Sequence, residues 1–356
     1  MAVFAVLGAL DLIIGNRFGL GEEFKKGFFM LGELVISMVG MIVLSPLIAR
    51  LLTTPLQWLS ERILVDPSAF IGSILANDMG GAPLALQMAG DERIGLFSGL
   101  IIGSMMGATV SFTLPFVMGA TENSQRRSIL LGLLCGICTI PVGCFVSGLL
   151  AGIPVLLLLL NLIPLLLLSA ILAVGLLKFP DASVKIFNVF GILIRTVVIT
   201  GLAIGVLEYL TGLDLVPHTA PIEEGAGIVF NIACVMAGAF PLLFLISRLI
   251  AKPLGALGRK TGMNERSVLG FVSTLATSVT TFGMMKDMDD KGVILNSAFA
   301  VSAAFTLADH LAFTLSFRAE YLPYVITGKL LSGILAVCLA VIIYKKTSHK
   351  EENLVK

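Results

Sequence analysis

The sequence predicts an all-α polytopic membrane protein made of two inverted repeats, with about nine transmembrane helices and two re-entrant hairpins, eleven membrane segments in all. Three observations carry that expectation. Apolar runs recur along the 356 residues, short stretches repeat at an offset near 200, and Lys and Arg segregate to one side only if two polar-interrupted segments turn back.

Composition sets the class. Hydrophobic residues make up 57% of the chain and charged residues 13%, and the mean hydropathy is +1.00. Chains of this kind bury themselves in lipid. Net charge is +1, which says nothing about nucleic acid or acidic partners. All five cysteines, Cys135, Cys138, Cys144, Cys234 and Cys338, lie inside apolar runs. The CxxC spacing of Cys135 and Cys138 has no polar neighbour to lower a thiol pKa, so these residues read as small core side chains rather than a redox or metal pair. No basic region precedes the first apolar run, Val3 to Ile14, which is short for a span.

Membrane segments are expected at about 1 to 15, 27 to 49, 68 to 89, 95 to 119, 128 to 150, 153 to 177, 187 to 210, 227 to 250, 268 to 285, 293 to 316 and 323 to 344. Two of them are interrupted. Segment 68 to 89 carries Asn77, Asp78, Gly80, Gly81 and Pro83; segment 268 to 285 carries the polar run LATSVTTFGMM, Leu275 to Met285. Each therefore reads as two half-helices.

The chain also repeats itself. IARLLTTPLQWL (Ile48 to Leu59) matches ISRLIAKPLGAL (Ile246 to Leu257) at six of twelve positions, GALDLIIG (Gly8 to Gly15) matches GVLEYLTG (Gly205 to Gly212), and SILA (Ser73 to Ala76) matches STLA (Ser273 to Ala276). The offsets are 198, 197 and 200. Residues 1–151 thus form a first repeat with hairpin 68–89, residues 152–197 a connecting helix and linker, residues 198–346 a second repeat with hairpin 268–285, and residues 347–356 a cytoplasmic tail.

Charge distinguishes spans from hairpins. With the Lys-rich C-terminus in the cytoplasm and both broken segments re-entrant, eighteen basic residues lie inside and four outside; with both segments crossing, the division becomes ten and twelve. The positive-inside rule favours re-entry. Five crossings then separate equivalent points, so the repeats are inverted, the first hairpin entering from outside and the second from the cytoplasm.

Irregular backbone at membrane depth is tolerated where it is buried in protein or lines a wet cavity. Paired breaks in inverted halves point to a transport site at the midplane. The candidate substrate-binding residues follow: Asn77, Asp78, Gly80 and Gly81 at one tip, Thr277, Ser278, Thr280 and Thr281 at the other, and Ser302, Thr306 and Asp309 with i, i+4, i+7 spacing on one helical face, beside His310. A carboxylate at the bilayer centre costs at least ~2.5 kcal/mol, so Asp78 and Asp309 are candidate partners for a cation; helix capping, or pairing of Asp309 with His310 or Lys329, is the structural alternative. His310 is either a proton acceptor or a structural donor. Gly99, Gly103, Gly107 and Ser111 form a small-residue row suited to close packing. Phe282, Phe305 and Phe313 read as packing residues, with a ring face for a cation as the alternative. Arg195 and Lys329 are expected to snorkel.

NDMGG (Asn77 to Gly81), SGLIIGSMMG (Ser98 to Gly107), TFGMMKDMD (Thr281 to Asp289) and AFAVSAAFTLADHLAF (Ala298 to Phe313) closely resemble the EutH ethanolamine permeases of bacterial ethanolamine-utilisation operons. The likeness covers nearly the whole chain. It implies a multi-pass protein of the bacterial cytoplasmic membrane that takes up ethanolamine to feed a cobalamin-dependent lyase pathway. Under this resemblance Asp78 falls on the aspartate of a DMGG motif, Asp309 and His310 on a GDH motif written here as ADH, and Lys329 on a GKL element. The chain departs from the family pattern in its short N-terminus, in Glu33 where a small residue is expected, and in the brief AGIP link (Ala151 to Pro154).

Ethanolamine is a primary amine, protonated at neutral pH like a lysine of pKa ~10.4, and crosses lipid poorly in that form. Two carboxylates and several hydroxyls suit an ammonium and an alcohol on one small molecule. The expected partners are this substrate and membrane lipid; no cofactor, resident metal or nucleic acid is called for, and assembly as a homo-oligomer stays open. The alternatives are an ion-coupled carrier of another small metabolite and a passive facilitator channel. An intramembrane aspartyl enzyme is disfavoured, since the chain has no GxGD or HExxH motif.

Overall fold

The computed structural model describes residues 1–120 and 125–355, with side chains at 118–120, 184, 247, 250–261 and 347–355 outside the description. The side chains of Lys252, Arg259, Lys260 and Lys350, which enter the charge count, and those of much of the repeat match at 246–257 therefore lie outside the description, as does Lys356 altogether. The described residues form helices joined by turns and irregular stretches, with no strand among them. Among the described residues, seven helices are long and apolar enough to cross a membrane: Leu20–Ile63, Glu92–Val117, Arg126–Leu150, Val155–Lys178, Pro180–Thr211, Ile222–Ile246 and Asp309–Lys346.

Two of the nine expected spans take another form. The first, Ala2–Ile13, is a 12-residue apolar helix, whose Asp11 carboxylate accepts hydrogen bonds from the backbone N–H groups of Phe18 (3.0 Å), Leu20 (2.7 Å) and Gly21 (3.0 Å). Those are orphan donors at the start of the next helix, so the short helix is locked to its successor. The other, 293 to 316, is divided into the helices Asp290–Ala303 and Asp309–Arg318. The proposed connector boundary at 197 falls inside the Pro180–Thr211 helix.

Both interrupted segments are broken where the sequence places the polar residues. The first comprises helices Pro67–Ile74 and Ala82–Met88 around an irregular stretch; the second comprises Glu265–Ala276 and Ser278–Gly283, with extended backbone at Thr277. In each, one aspartate ties the two ends together. Asp66 accepts from Ser68 N (2.9 Å) at the start and from Gly90 N (2.9 Å) at the end of the first segment. Asp289 accepts from Asn264 N (2.6 Å), Ser267 Oγ (3.1 Å) and Gly292 N (2.7 Å) at the second. The chain thus leaves each broken segment beside the point where it entered.

Small residues let the helices close on one another. Gly132 and Gly136 of Arg126–Leu150 abut the Asp290–Ala303 helix, while Gly143 meets Gly328 and Ser332 of Leu322–Val355. Thr139 Oγ1 bonds to Ser332 O (3.1 Å), and Ser302 Oγ to Ser332 Oγ (2.7 Å). In lipid, such packing and polar contacts replace the hydrophobic drive available in water.

Candidate functional site

The irregular backbone of the first segment begins after Ile74, where Leu75 and Ala76 are extended, and turns at Gly80 with φ +82°. Only glycine adopts that conformation readily. A Cβ there would also lie 2.1 Å from Met41 Cγ, so the turn is held against the Leu20–Ile63 helix. Freed backbone groups find partners nearby: Gly81 N donates to Ala76 O (3.0 Å), and Ala76 N donates to Ser111 Oγ (3.1 Å). The glycine row therefore packs, as expected, and its target is this segment: Gly99 faces Ala82, and Gly103 and Gly107 face Leu75 O. The row belongs to a helix wound with wide π-type turns over Phe97–Gly107, a geometry found mostly as short insertions near functional sites.

A third break adjoins the second segment. Residues 304–308 leave the helix, with Phe305 at φ +61°. A left-handed phenylalanine is strained and persists only where its surroundings dictate it. Here Phe305 N donates to Thr274 O (3.1 Å) and Leu307 N to Leu275 O (2.9 Å), so the two breaks satisfy each other. The ring of Phe305 packs on Phe112 (5.5 Å between centroids) and on His310 (5.4 Å).

This break corrects one sequence expectation. Ser302, Thr306 and Asp309 do not share the face of one continuous helix: Ser302 closes the helix before the break, Thr306 lies within it, and Asp309 opens the helix after it. The i, i+4, i+7 spacing could not reveal an interruption at AAFTLA, which has neither glycine nor proline. A second correction concerns Lys329. It does not snorkel; it is 1% exposed, and its Nζ donates to Ser104 O at 2.6 Å. Arg195, by contrast, is exposed.

Asp78 and His310 meet across the molecule, Oδ2 to Nε2, at 3.8 Å. Asp309 follows the third break and is half-buried. Eight buried side-chain polar atoms lack a hydrogen-bond partner among the described residues, and five of them belong to Asn77 (Nδ2 and Oδ1), Ser278 (Oγ), Asp309 (Oδ1) and His310 (Nδ1). Buried polar groups are normally paired, so a concentration of unpaired ones marks a place built to hold something else. The other hydroxyl candidates are occupied. Thr281 Oγ1 bonds Thr274 Oγ1 (2.9 Å) and Gly270 O (3.1 Å), Ser302 bonds Ser332, Thr306 donates to Ala303 O (2.7 Å), and Thr277 caps Val279 N (3.3 Å). Thr280 is exposed and lies apart, on a cavity wall. Phe282 and Phe313 are buried core residues.

Broken helices meeting at a polar junction inside an apolar bundle define a multi-pass membrane transporter. The chain belongs to the EutH family: the family model described as "Ethanolamine utilisation protein, EutH" matches residues 1–343. It is 43% identical to a "Probable ethanolamine permease EutH" of Listeria monocytogenes, over 100% of this chain and 96% of that protein. A protein of the same name from Escherichia coli is 37% identical over 97% and 94% of the two chains, and the "Uncharacterized protein YxeR" of Bacillus subtilis is 38% identical over 99% and 95%. No solved structure matches the chain.

Proposed function

We propose that the protein is a permease of the bacterial cytoplasmic membrane that takes up ethanolamine as its ammonium cation. Asp78 and Asp309 hold the ammonium, His310 positions Asp78, and Ser278 and Asn77 take the hydroxyl. The two halves work as inverted repeats around this site by alternating access, with the C-terminus in the cytoplasm. The observation that carries the reading is the set of unpaired polar atoms on Asn77, Asp309 and His310 beside Asp78, where the first and third breaks meet and the second is hydrogen-bonded to the third. The full-length similarity to proteins named probable ethanolamine permeases supplies the substrate.

Two further features support the hairpin and repeat assignments. The aspartate ties at Asp66 and Asp289 return each broken segment to its starting point, as a re-entrant hairpin requires. Contacts at the breaks also recur at one offset: Gly107 abuts Leu75 O in the first half and Leu307 N donates to Leu275 O in the second, each position displaced by 200. The test is uptake of labelled ethanolamine at acidic pH, where the free amine is scarcest. Asp78→Asn and Asp309→Asn, present in the membrane at wild-type amounts, should lose most uptake; wild-type rates in both would refute the carboxylate site.

A further inference from the structure

Outside this junction, a cavity of about 550 Å³ lies between the Leu20–Ile63 helix, the Ile222–Thr261 helix and the second broken segment. Glu23 and Lys26 line one wall and pair with each other at 2.5 Å. Ten residues further along that helix, about 15 Å at 1.5 Å per residue, Glu33 lines the same cavity together with Thr277 and Thr280. Glu33 is exposed and has no ion-pair partner among the described residues, so its charge is the one the cavity does not neutralise.

Glu33 also stands next to the junction. The wide π-type turn Val35–Val39 begins two residues later and packs against the Asn77–Gly81 stretch. Thr277 is the extended residue at the break of the second segment. A carboxylate in an apolar span, facing a polar-floored cavity, marks a cation route rather than a packing position.

We propose that this cavity is the access vestibule of the permeation route and that Glu33 is a second, outlying subsite for a primary ammonium, passing it between the open mouth and the Asp78–Asp309 junction. The proposal rests on the permease reading above. The cavity holds a molecule of ethanolamine's size several times over, its phenylalanine walls at Phe29, Phe240 and Phe244 offer nothing to an anion, and the exposed Thr280 supplies a hydroxyl partner.

Two measurements test it in proteoliposomes. Glu33→Gln should raise the ethanolamine concentration for half-maximal uptake roughly threefold to tenfold, as expected for losing one partly screened ion pair, while Glu33→Asp stays within about twofold of wild type. In a background with all five cysteines replaced by alanine, Val272→Cys on the cavity wall should react with a membrane-impermeant thiosulfonate, and saturating ethanolamine should slow that reaction. Unchanged half-saturation in Glu33→Gln, or labelling indifferent to ethanolamine, overturns the vestibule while leaving the permease reading intact. A wild-type protein that transports no ethanolamine sinks both.

Discussion

Replacing Gly107 by alanine tests how the first broken segment is held. A Cβ at this position would lie 2.0 Å from Leu75 O, 2.5 Å from Leu75 C and 2.7 Å from Gly72 O, all backbone atoms, where ordinary contact begins near 3.4 Å. No rotamer change relieves an overlap of about 1.4 Å with main chain. The Glu92–Val117 helix and the broken segment must instead separate, and overpacking of this kind costs roughly 1 to 3 kcal/mol. Alanine at an open helical glycine goes the other way, gaining up to about 1 kcal/mol. Gly227 is such a site, with nothing within 4 Å of its would-be Cβ. Gly107→Ala should therefore fall about 2 to 4 kcal/mol below Gly227→Ala in denaturant unfolding of the detergent-solubilised protein. It should also lose ethanolamine uptake, because the displaced segment carries Asp78. Equal stability and equal uptake in the two variants would refute the close approach.

Two more perturbations follow from the same contacts. Asp66→Ala and Asp289→Ala each strand backbone donors that the carboxylate satisfies, which costs about 1 to 3 kcal/mol apiece, and both should lower the thermal midpoint; wild-type melting in either would show that its tie does not hold the segment's ends. Lys329→Met removes a buried ammonium together with the hydrogen bond it donates to Ser104 O, which costs about 1 to 3 kcal/mol. Melting should fall modestly and uptake with it, because Ser104 adjoins Gly103, which lies against the backbone of Asn77; unaltered uptake would count against a role for Lys329 near the site.

The sequence makes the two main breaks legible because their signals are local. NDMGG places two glycines beside a carboxylate in an apolar run, and TSVTT places four hydroxyls in another. The third break is not legible. AAFTLA has ordinary helical propensity, and what interrupts it is a pair of hydrogen bonds to Thr274 and Leu275, some thirty residues earlier. Lys329 fails for the same reason. Two turns from a helix start, a lysine in lipid would reach the headgroups, but the helix it sits on is walled in by Ser104 and its neighbours, and only the tertiary arrangement shows that. Hydroxyl counting also overstates the site. Thr281, Ser302 and Thr306 are polar residues in the right region whose capacity is spent on helix packing and on the breaks themselves.

Under the proposed repeat, the asymmetry between the halves has a physical logic. At the offset of 200, Asp78 corresponds to Ser278 and Asp309 to Thr109. Thr109 Oγ1 donates to Met105 O (2.7 Å) and lies 3.1 Å from Val301 O, so it sits where the halves press together and its hydrogen-bonding is used there. Asp309, at the equivalent position, keeps Oδ1 unpaired. Four carboxylates at one junction would repel one another in a medium of low dielectric, and each would need its own counter-charge. Under the proposed reading, the buried ammonium of Lys329 offsets one of the two carboxylates, so that with one free serine hydroxyl and one threonine committed to packing the site keeps one net negative charge for a single small cation. Under the proposed permease mechanism, duplication supplies the pair of breaks, and the loss or absence of charge at two of four equivalent positions fits the junction to a ligand carrying one positive charge.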